Sequence, residues 1–355
     1  MPGNNTALAR DLAEASDAMG SCWDDLEGAR IFITGGTGFF GCWLLETLLW
    51  ANDRRALDAK AILLTRDPAA FGKRAPHLAS HPAVALHRGD ISTFPRPDGA
   101  VTHVIHGAVD TTTDEGRSAQ LREFDSTVNG TRRVLDFARE AGVRRFLFVS
   151  SGSVYGSQPK DLPRIPESYD GAPDVSSPRS AGAEAKRAAE LLCALYGENG
   201  LATTAARCFS FTGPYLPLEG KFALGNFIRD AMQGGPILVL GDGSPVRSYM
   251  YGADLAVWLW TILVRGSAGR AYNVGSEEPV SIAALASAVA KHFTPAPPVS
   301  IRGASTSSQA PSRYVPDTSR ARSELGLRVT VGFDEALTRT VDWHIRRHAS
   351  AHVSH

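Results

Sequence analysis

A run of eight residues, Thr34-Gly35-Gly36-Thr37-Gly38-Phe39-Phe40-Gly41, has the composition of a phosphate cradle. Its spacing is Gly-x-x-Gly-x-x-Gly, at Gly35, Gly38 and Gly41. Gly35 permits a tight turn, Gly38 lets a pyrophosphate approach the backbone, and Gly41 lets the next helix pack on the preceding strand. Thr37, Phe39 and Phe40 complete the loop and the first helical turn. The free N–H groups and positive dipole end of such a turn suit a phosphate.

Three further segments fit a dinucleotide laid across strand ends. In Gly89-Asp90-Ile91, Asp90 is placed to accept from an adenine amino group, with Ile91 beside it. His106-Gly107-Ala108 offers small residues for close approach, Ala108 being the contact, and Ser150-Ser151 ends a further strand. At the end of the second strand a carboxylate selects a ribose 2′-hydroxyl, whereas an arginine selects a 2′-phosphate. The sequence there is Leu64-Thr65-Arg66-Asp67. Thr65 takes the acidic position and Arg66 points toward NADP, with Asp67 still within reach of a ribose.

These segments need a frame that gathers strand ends. Short apolar runs at 30–34, 61–65, 84–87, 101–106, 145–150 and 202–207 read as buried strands. Helical patterns at 39–49, 117–141 and 183–196 separate several of them, the last two stopped by Gly142 and Gly197. The alternation predicts an α/β fold with a Rossmann-type doubly wound parallel sheet. Beyond residue 207 glycine and proline become frequent, which predicts a smaller C-terminal substrate domain of short elements and long loops. The expected divisions are a polar, helical N-terminal extension at 1–27, an NAD(P)-binding Rossmann domain at 28–210, a mainly substrate-binding domain at 211–348 with segments returning to the first, and a tail at 349–355. A Pro- and Ser-rich stretch at 296–312 reads as a surface loop, followed by closing helices at 319–325 and 334–347.

The 355 residues carry 37 basic and 37 acidic side chains, so the formal net charge is zero. With 43% hydrophobic and 21% charged residues the composition is that of a soluble globular protein, which excludes disorder and a disulfide scaffold. Neutrality argues against nucleic acid or an anionic membrane as partner. Cys22, Cys42, Cys193 and Cys208 form no Cys-x-x-Cys pair, so reduced thiols and no metal site are expected. The charged N-terminus lacks the apolar region of a secretory signal, and the apolar stretch at 253–264 is too short to span a membrane. A cytoplasmic protein is expected.

The glycine loop, the run Phe148-Val149-Ser150-Ser151-Gly152-Ser153-Val154-Tyr155-Gly156 and a lysine-bearing helix together resemble the extended short-chain dehydrogenase/reductase family, in its nucleotide-sugar epimerase, dehydratase and decarboxylase group. The resemblance continues through Arg207 to Pro214, Gly241-Asp242-Gly243 with Arg247, Asp254-Leu255-Ala256, Tyr272-Asn273-Val274-Gly275, Arg313 to Asp317, and Val341-Asp342-Trp343. It implies that Ser151 hydrogen-bonds the sugar hydroxyl being oxidised and that Lys186 holds the nicotinamide ribose and assists the base. It implies that Arg247 binds the substrate diphosphate, with Arg313 as a second arginine and Ser210 at a substrate-contact position. Arginine forks suit phosphate oxygens. A homodimer through the 117–141 and 183–196 helices is also implied.

The chain departs from that family in four places. The family tyrosine precedes its lysine by four residues, and here that position is Gly182. Thr127 and Ser210 stand where asparagine is usual, and Ser151-Gly152-Ser153 lacks the Asp-Glu pair of sugar 4,6-dehydratases. Lys186, desolvated beside a nicotinamide, is the candidate base, directly or through a water in the tyrosine's void. The expected function is an NAD(P)-dependent epimerase/dehydratase-type enzyme that transiently oxidises C4 of a nucleoside-diphosphate sugar. The alternatives are an NADPH-dependent 4-ketosugar reductase and a catalytically impaired NAD(P)-binding protein.

Overall fold

The computed structural model describes residues 8–108, 117–220, 222–303 and 312–353. The extension, the 296–312 loop and the tail therefore lie partly outside the described residues. Seven parallel strands form the main sheet: β1 (Arg30–Thr34), β2 (Lys60–Thr65), β3 (Val84–Arg88), β4 (His103–His106), β5 (Arg145–Ser151), β6 (Thr203–Cys208) and β7 (Ala271–Val274). Their order across the sheet is β7-β6-β5-β4-β1-β2-β3. The order reverses between β1 and β4, which opens a crevice at the carboxyl ends of those strands. This is the doubly wound Rossmann-type sheet that the strand–helix alternation predicts.

Strand alternation divides the core between the two faces of the sheet. Ile31 and Ile33 pack with Trp43, Leu45, Trp258 and Trp260 on one side. Phe32 points the other way, into Phe94, Phe137, Phe146 and Phe148. The helix after the glycine loop runs Phe39–Arg55, longer than the apolar pattern at 39–49, because its last turns face outward with polar side chains and end in Arg54 and Arg55. The apolar stretch at 253–264 lies within the helix Gly252–Arg265, buried from Gly252 to Val264. Its single charge, Asp254, accepts from the Thr330 and Val331 N–H groups and the Thr330 hydroxyl.

The N-terminal segment departs from its expected polar character. It is helical over Ala9–Met19 and continues as a 3₁₀ turn over Gly20–Leu26. Leu8, Leu12, Ala15 and Met19 recur at helical spacing, and with Trp23 and Leu26 they are buried in the main core. Asp11 is buried too, accepting from the Tyr251 hydroxyl at 2.6 Å and ion-paired with Arg339. Apart from Asp11 and Ser16, the polar residues of this helix lie off the buried stripe.

The C-terminal part has its own core around Phe227, Ile228, Ile237, Leu285, Val289 and Leu337. Short strands Val246–Arg247, Val280–Ser281 and Arg313–Tyr314 form a small sheet beside it. The closing helix runs Phe333–Val353, beyond the end expected at 347.

Because Leu12 is 3% exposed in a continuous core, Leu12→Ala should lower stability by about 3 kcal/mol, read from urea unfolding. A merely appended extension would lose well under 1 kcal/mol.

Candidate active site

The glycine loop connects β1 to the Phe39–Arg55 helix. A Cβ on Gly41 would stand 2.1 Å from the Gly36 carbonyl oxygen, so the helix approaches the loop as no side chain would allow. Gly35 has φ +73 and faces the Gly107 backbone, where a Cβ would be 2.7 Å from the carbonyl carbon. Gly38 caps the helix in an extended conformation with no side-chain hydrogen bond, and the first turn holds no acidic residue. Phe39, Phe40 and Gly41 thus present helix-start N–H groups that no side chain caps, with Thr37 and Gly38 in the loop before them and the Gly38 N–H bonded to the Gly35 carbonyl at 3.0 Å, an arrangement that fits a pyrophosphate.

A buried hydrogen-bond chain fixes this loop. Thr131 Oγ1 donates to the Thr127 carbonyl at 2.6 Å, so it accepts from His106 Nε2 at 2.9 Å. His106 Nδ1 then accepts from Thr34 Oγ1 at 2.7 Å, and Thr34 Oγ1 accepts the Ala108 N–H at 3.1 Å. Full burial, with Lys186 adding to it, lowers the His106 pKa to about 3, which keeps the ring neutral as the chain requires. Ala108 is thereby held at the end of β4 opposite the glycine loop.

Asp90 and Ile91 follow β3 as expected. Asp90 Oδ1 accepts from the Ser92 N–H at 3.0 Å and its hydroxyl at 2.6 Å, which, with Arg66 contributing, lowers the carboxyl's pKa. Asp67 Oδ1 caps the Pro68–Arg74 helix through the Ala70 N–H at 2.9 Å, so its reach toward a ribose competes with that cap. Arg66 is exposed beside these groups at the carboxyl end of β2.

Ser151 ends β5 and caps the turn that follows, accepting from the Ser153 N–H at 3.1 Å. The helix carrying Lys186 runs Ala181–Glu198, two residues longer at each end than the expected 183–196. Lys186 Nζ donates to the Val149 carbonyl at 2.7 Å and lies 4.6 Å from the Phe148 ring centroid. Burial lowers its pKa to about 8. Cys208, Glu190, Cys193 and Glu123 oppose that shift. Glu190, one turn on, accepts from Ser150 Oγ at 2.5 Å and is forked by Arg207. Tyr155 bonds Asn273 at 2.8 Å and Arg207 at 2.9 Å, so it is tied into this framework.

Two residues passed over in the sequence reading reach this site. The Tyr314 hydroxyl donates to the Cys208 carbonyl at 3.3 Å and stands 3.3 Å from Ser151 Oγ. Its neighbour Arg313 was noticed, but nothing in the sequence ties this short strand to the end of β5. Glu123 lies one helical turn before Thr127, and its carboxylate rests against Gly182. Gly182 itself stands in the first helical turn, where a glycine costs less than in a helix interior.

The expected phosphate ligands fall on the small sheet. Arg247 pairs in register with Tyr314, and its guanidinium lies 5.8 Å from that ring. Arg313 pairs with Val246, so strand alternation sets it on the opposite face from Arg247. Its buried Nε has no hydrogen-bond partner among the described residues. Ser210 is half-buried just after β6, its carbonyl accepting from Met250 N–H at 3.0 Å. Among the described residues no group of three or more His, Cys, Asp or Glu is arranged to hold a metal.

A model of the NAD dependent epimerase/dehydratase family matches residues 31–275. UDP-glucuronic acid decarboxylase 1 of Arabidopsis thaliana is 28% identical over 313 residues, covering 88% of this chain and 69% of that protein. The dTDP-glucose 4,6-dehydratase of Streptomyces antibioticus is 28% identical over 328 residues, covering 89% and 92%. Among solved structures, a dTDP-glucose 4,6-dehydratase from Streptomyces venezuelae with NAD and TYD bound superposes with a TM-score of 0.74 at 26% identity, covering 90% of this chain and 98% of that one.

The lowered Lys186 pKa has a stability consequence. The unfolded chain holds this proton more tightly, so stability is reduced below about pH 8 and recovers as pH rises toward the free-lysine value near 10.5. In urea titrations the native chain should therefore gain stability relative to Lys186→Met as pH rises from about 8 to 10.5.

Proposed function

The chain belongs to the NAD dependent epimerase/dehydratase family, and from that premise we propose that it oxidises C4 of a nucleoside-diphosphate sugar transiently and then returns the hydride. It is an enzyme of the extended short-chain dehydrogenase/reductase type. The observation that carries the reading is the pairing of Ser151, at the end of β5, with a buried Lys186 anchored two residues back on the Val149 carbonyl.

The dinucleotide would be held by Gly35, Thr37, Gly38, Phe39, Phe40 and Gly41 at its pyrophosphate, by Asp90 and Ile91 near the adenine, and by Ala108 and Lys186 toward the nicotinamide. Arg66 favours NADP through a 2′-phosphate. When bound, the nicotinamide supplies the hydride acceptor. Ser151 orients the sugar hydroxyl. Ser151 Oγ is held in place by the Ser153 N–H and by the Tyr314 hydroxyl, which itself donates to the Cys208 carbonyl. The hydroxyl proton leaves on the Lys186 side of the site, where Lys186, its pKa lowered by burial to about 8, either takes it up through a water or serves as the ammonium partner of another base. Arg247 binds the diphosphate, with Ser210 near the sugar; Arg313, expected as a second arginine, lies on the opposite face of the small sheet and does not converge with Arg247.

A homodimer is supported by Leu121, Leu191 and Leu195, exposed by 67%, 61% and 49% on the Arg117–Glu140 and Ala181–Glu198 helices. A cytoplasmic location is supported by buried free thiols at Cys42, Cys193 and Cys208. No helix among the described residues is long and apolar enough to cross a membrane.

Incubation with a panel of UDP- and dTDP-sugars, followed by NMR, should yield an epimer, a dehydrated or a decarboxylated product without net cofactor consumption. Stoichiometric loss of NADPH would replace this reading with a ketosugar reductase, and binding without product would leave a cofactor-binding protein. Arg247→Ala should raise KM for the nucleotide sugar at least roughly 10-fold with kcat changed far less, as expected for a ground-state phosphate contact.

A further inference from the structure

The open position at Gly182 is filled from another helix. A Cβ built on Gly182 would stand 2.6 Å from Glu123 Oε1, 3.1 Å from its Cδ and 3.5 Å from Oε2. The carboxylate therefore lies over the Gly182 backbone, in the space where any side chain at that position would start. Gly182 and Lys186 are four residues apart in one helix, hence on one face. Glu123 is half-buried on the Arg117–Glu140 helix, which packs beside it.

We propose that Glu123 serves as the general base in place of a phenol at position 182, with Lys186 retained as its ammonium partner. The step rests on the C4-oxidation reading above. The sugar O–H bond breaks and its proton passes to the Glu123 carboxylate, directly or through one water. The oxygen electron pair closes the C4=O bond as the C4 hydride leaves to the oxidised nicotinamide dinucleotide. Return of hydride and proton reverses both transfers. Carbon is oxidised and the dinucleotide reduced, then the reverse, so no further reactant is needed.

Two observations favour this group over its neighbours. Tyr314 stands on the Ser151 side, but its hydroxyl already donates to Cys208 and burial pushes its pKa up to about 12, a poor base near neutrality. Glu123 acts electrostatically on Lys186, opposing the effect of burial and favouring the ammonium form. The other titratable groups acting on Lys186 are Glu190, Cys193 and Cys208, with neutral His106 nearby; Glu190 is committed to Arg207 and Ser150.

Two experiments test the assignment. The first needs no substrate: a double-mutant cycle of Gly182→Ala and Glu123→Ala, read by thermal unfolding. With Glu123 present, the alanine methyl must displace the carboxylate. In the Glu123→Ala background the glycine-to-alanine change should raise the melting midpoint by about 2 °C, and in the native background it should not. Additive effects would place the carboxylate elsewhere and overturn the inference. The second compares kcat of Glu123→Gln and Glu123→Asp with the native chain on whichever nucleotide sugar it converts. The expected loss for Glu123→Gln is about 10²- to 10⁴-fold at unchanged KM, with partial retention in Glu123→Asp. The native kcat profile should show no acid limb near pH 8, where one would fall if Lys186 were the base. Full activity in Glu123→Gln, or a comparable loss in Tyr314→Phe alone, would overturn the inference while leaving C4 oxidation standing. Absence of turnover in the native chain would overturn both.

Discussion

Burying the Lys186 ammonium is the constraint around which this site is arranged. A charge taken out of water beneath the end of β5 costs several kcal/mol unless other groups replace its hydration. The Val149 carbonyl, the Phe148 ring face and the carboxylates of Glu190 and Glu123 supply that replacement in part. The remaining deficit is visible in the lowered pKa. Glu190 is in turn held in place by Arg207 and Ser150, from β6 and β5. A line of polar contacts thus runs from the sheet into the Ala181–Glu198 helix and fixes the lysine's reach.

The same economy of placement governs the cofactor side. The Thr131–His106–Thr34–Ala108 chain joins the Arg117–Glu140 helix to the ends of β4 and β1. Because that helix also carries Glu123, one element sets both the glycine loop and the group opposite Gly182. A shift of the helix would move both together. Rigid coupling of this kind suits a reaction in which a hydride acceptor and a proton acceptor must hold their spacing through two opposite transfers.

Much of the frame was legible because its signals are local. The Gly35–Gly38–Gly41 spacing, the six apolar strand runs and Gly142 as a helix stop each follow from a few adjacent residues, whereas the helix expected to stop at Gly197 runs through it to Glu198. The N-terminal helix was misjudged as a polar appendage because composition averages over faces, whereas Leu8, Leu12, Ala15 and Met19 bury one stripe. Tyr314 and Glu123 were invisible for a different reason. Tyr314 reaches Ser151 across 163 positions of chain through a two-residue strand, which has no periodicity to read. Glu123 meets Gly182 only because two helices lie side by side, a fact carried by the tertiary packing and by no motif.

This placement changes the meaning of the missing tyrosine. A site in decay loses a side chain and leaves a gap, or collapses onto it. Here the space above Gly182 holds a carboxylate, and the glycine is what makes room for it, since a Cβ at 182 and the present position of Glu123 exclude each other. A phenol is neutral until it ionises, whereas a carboxylate is negative across the physiological range. Exchanging one for the other replaces a phenol carried by the Lys186 helix with a carboxylate brought in from the neighbouring helix.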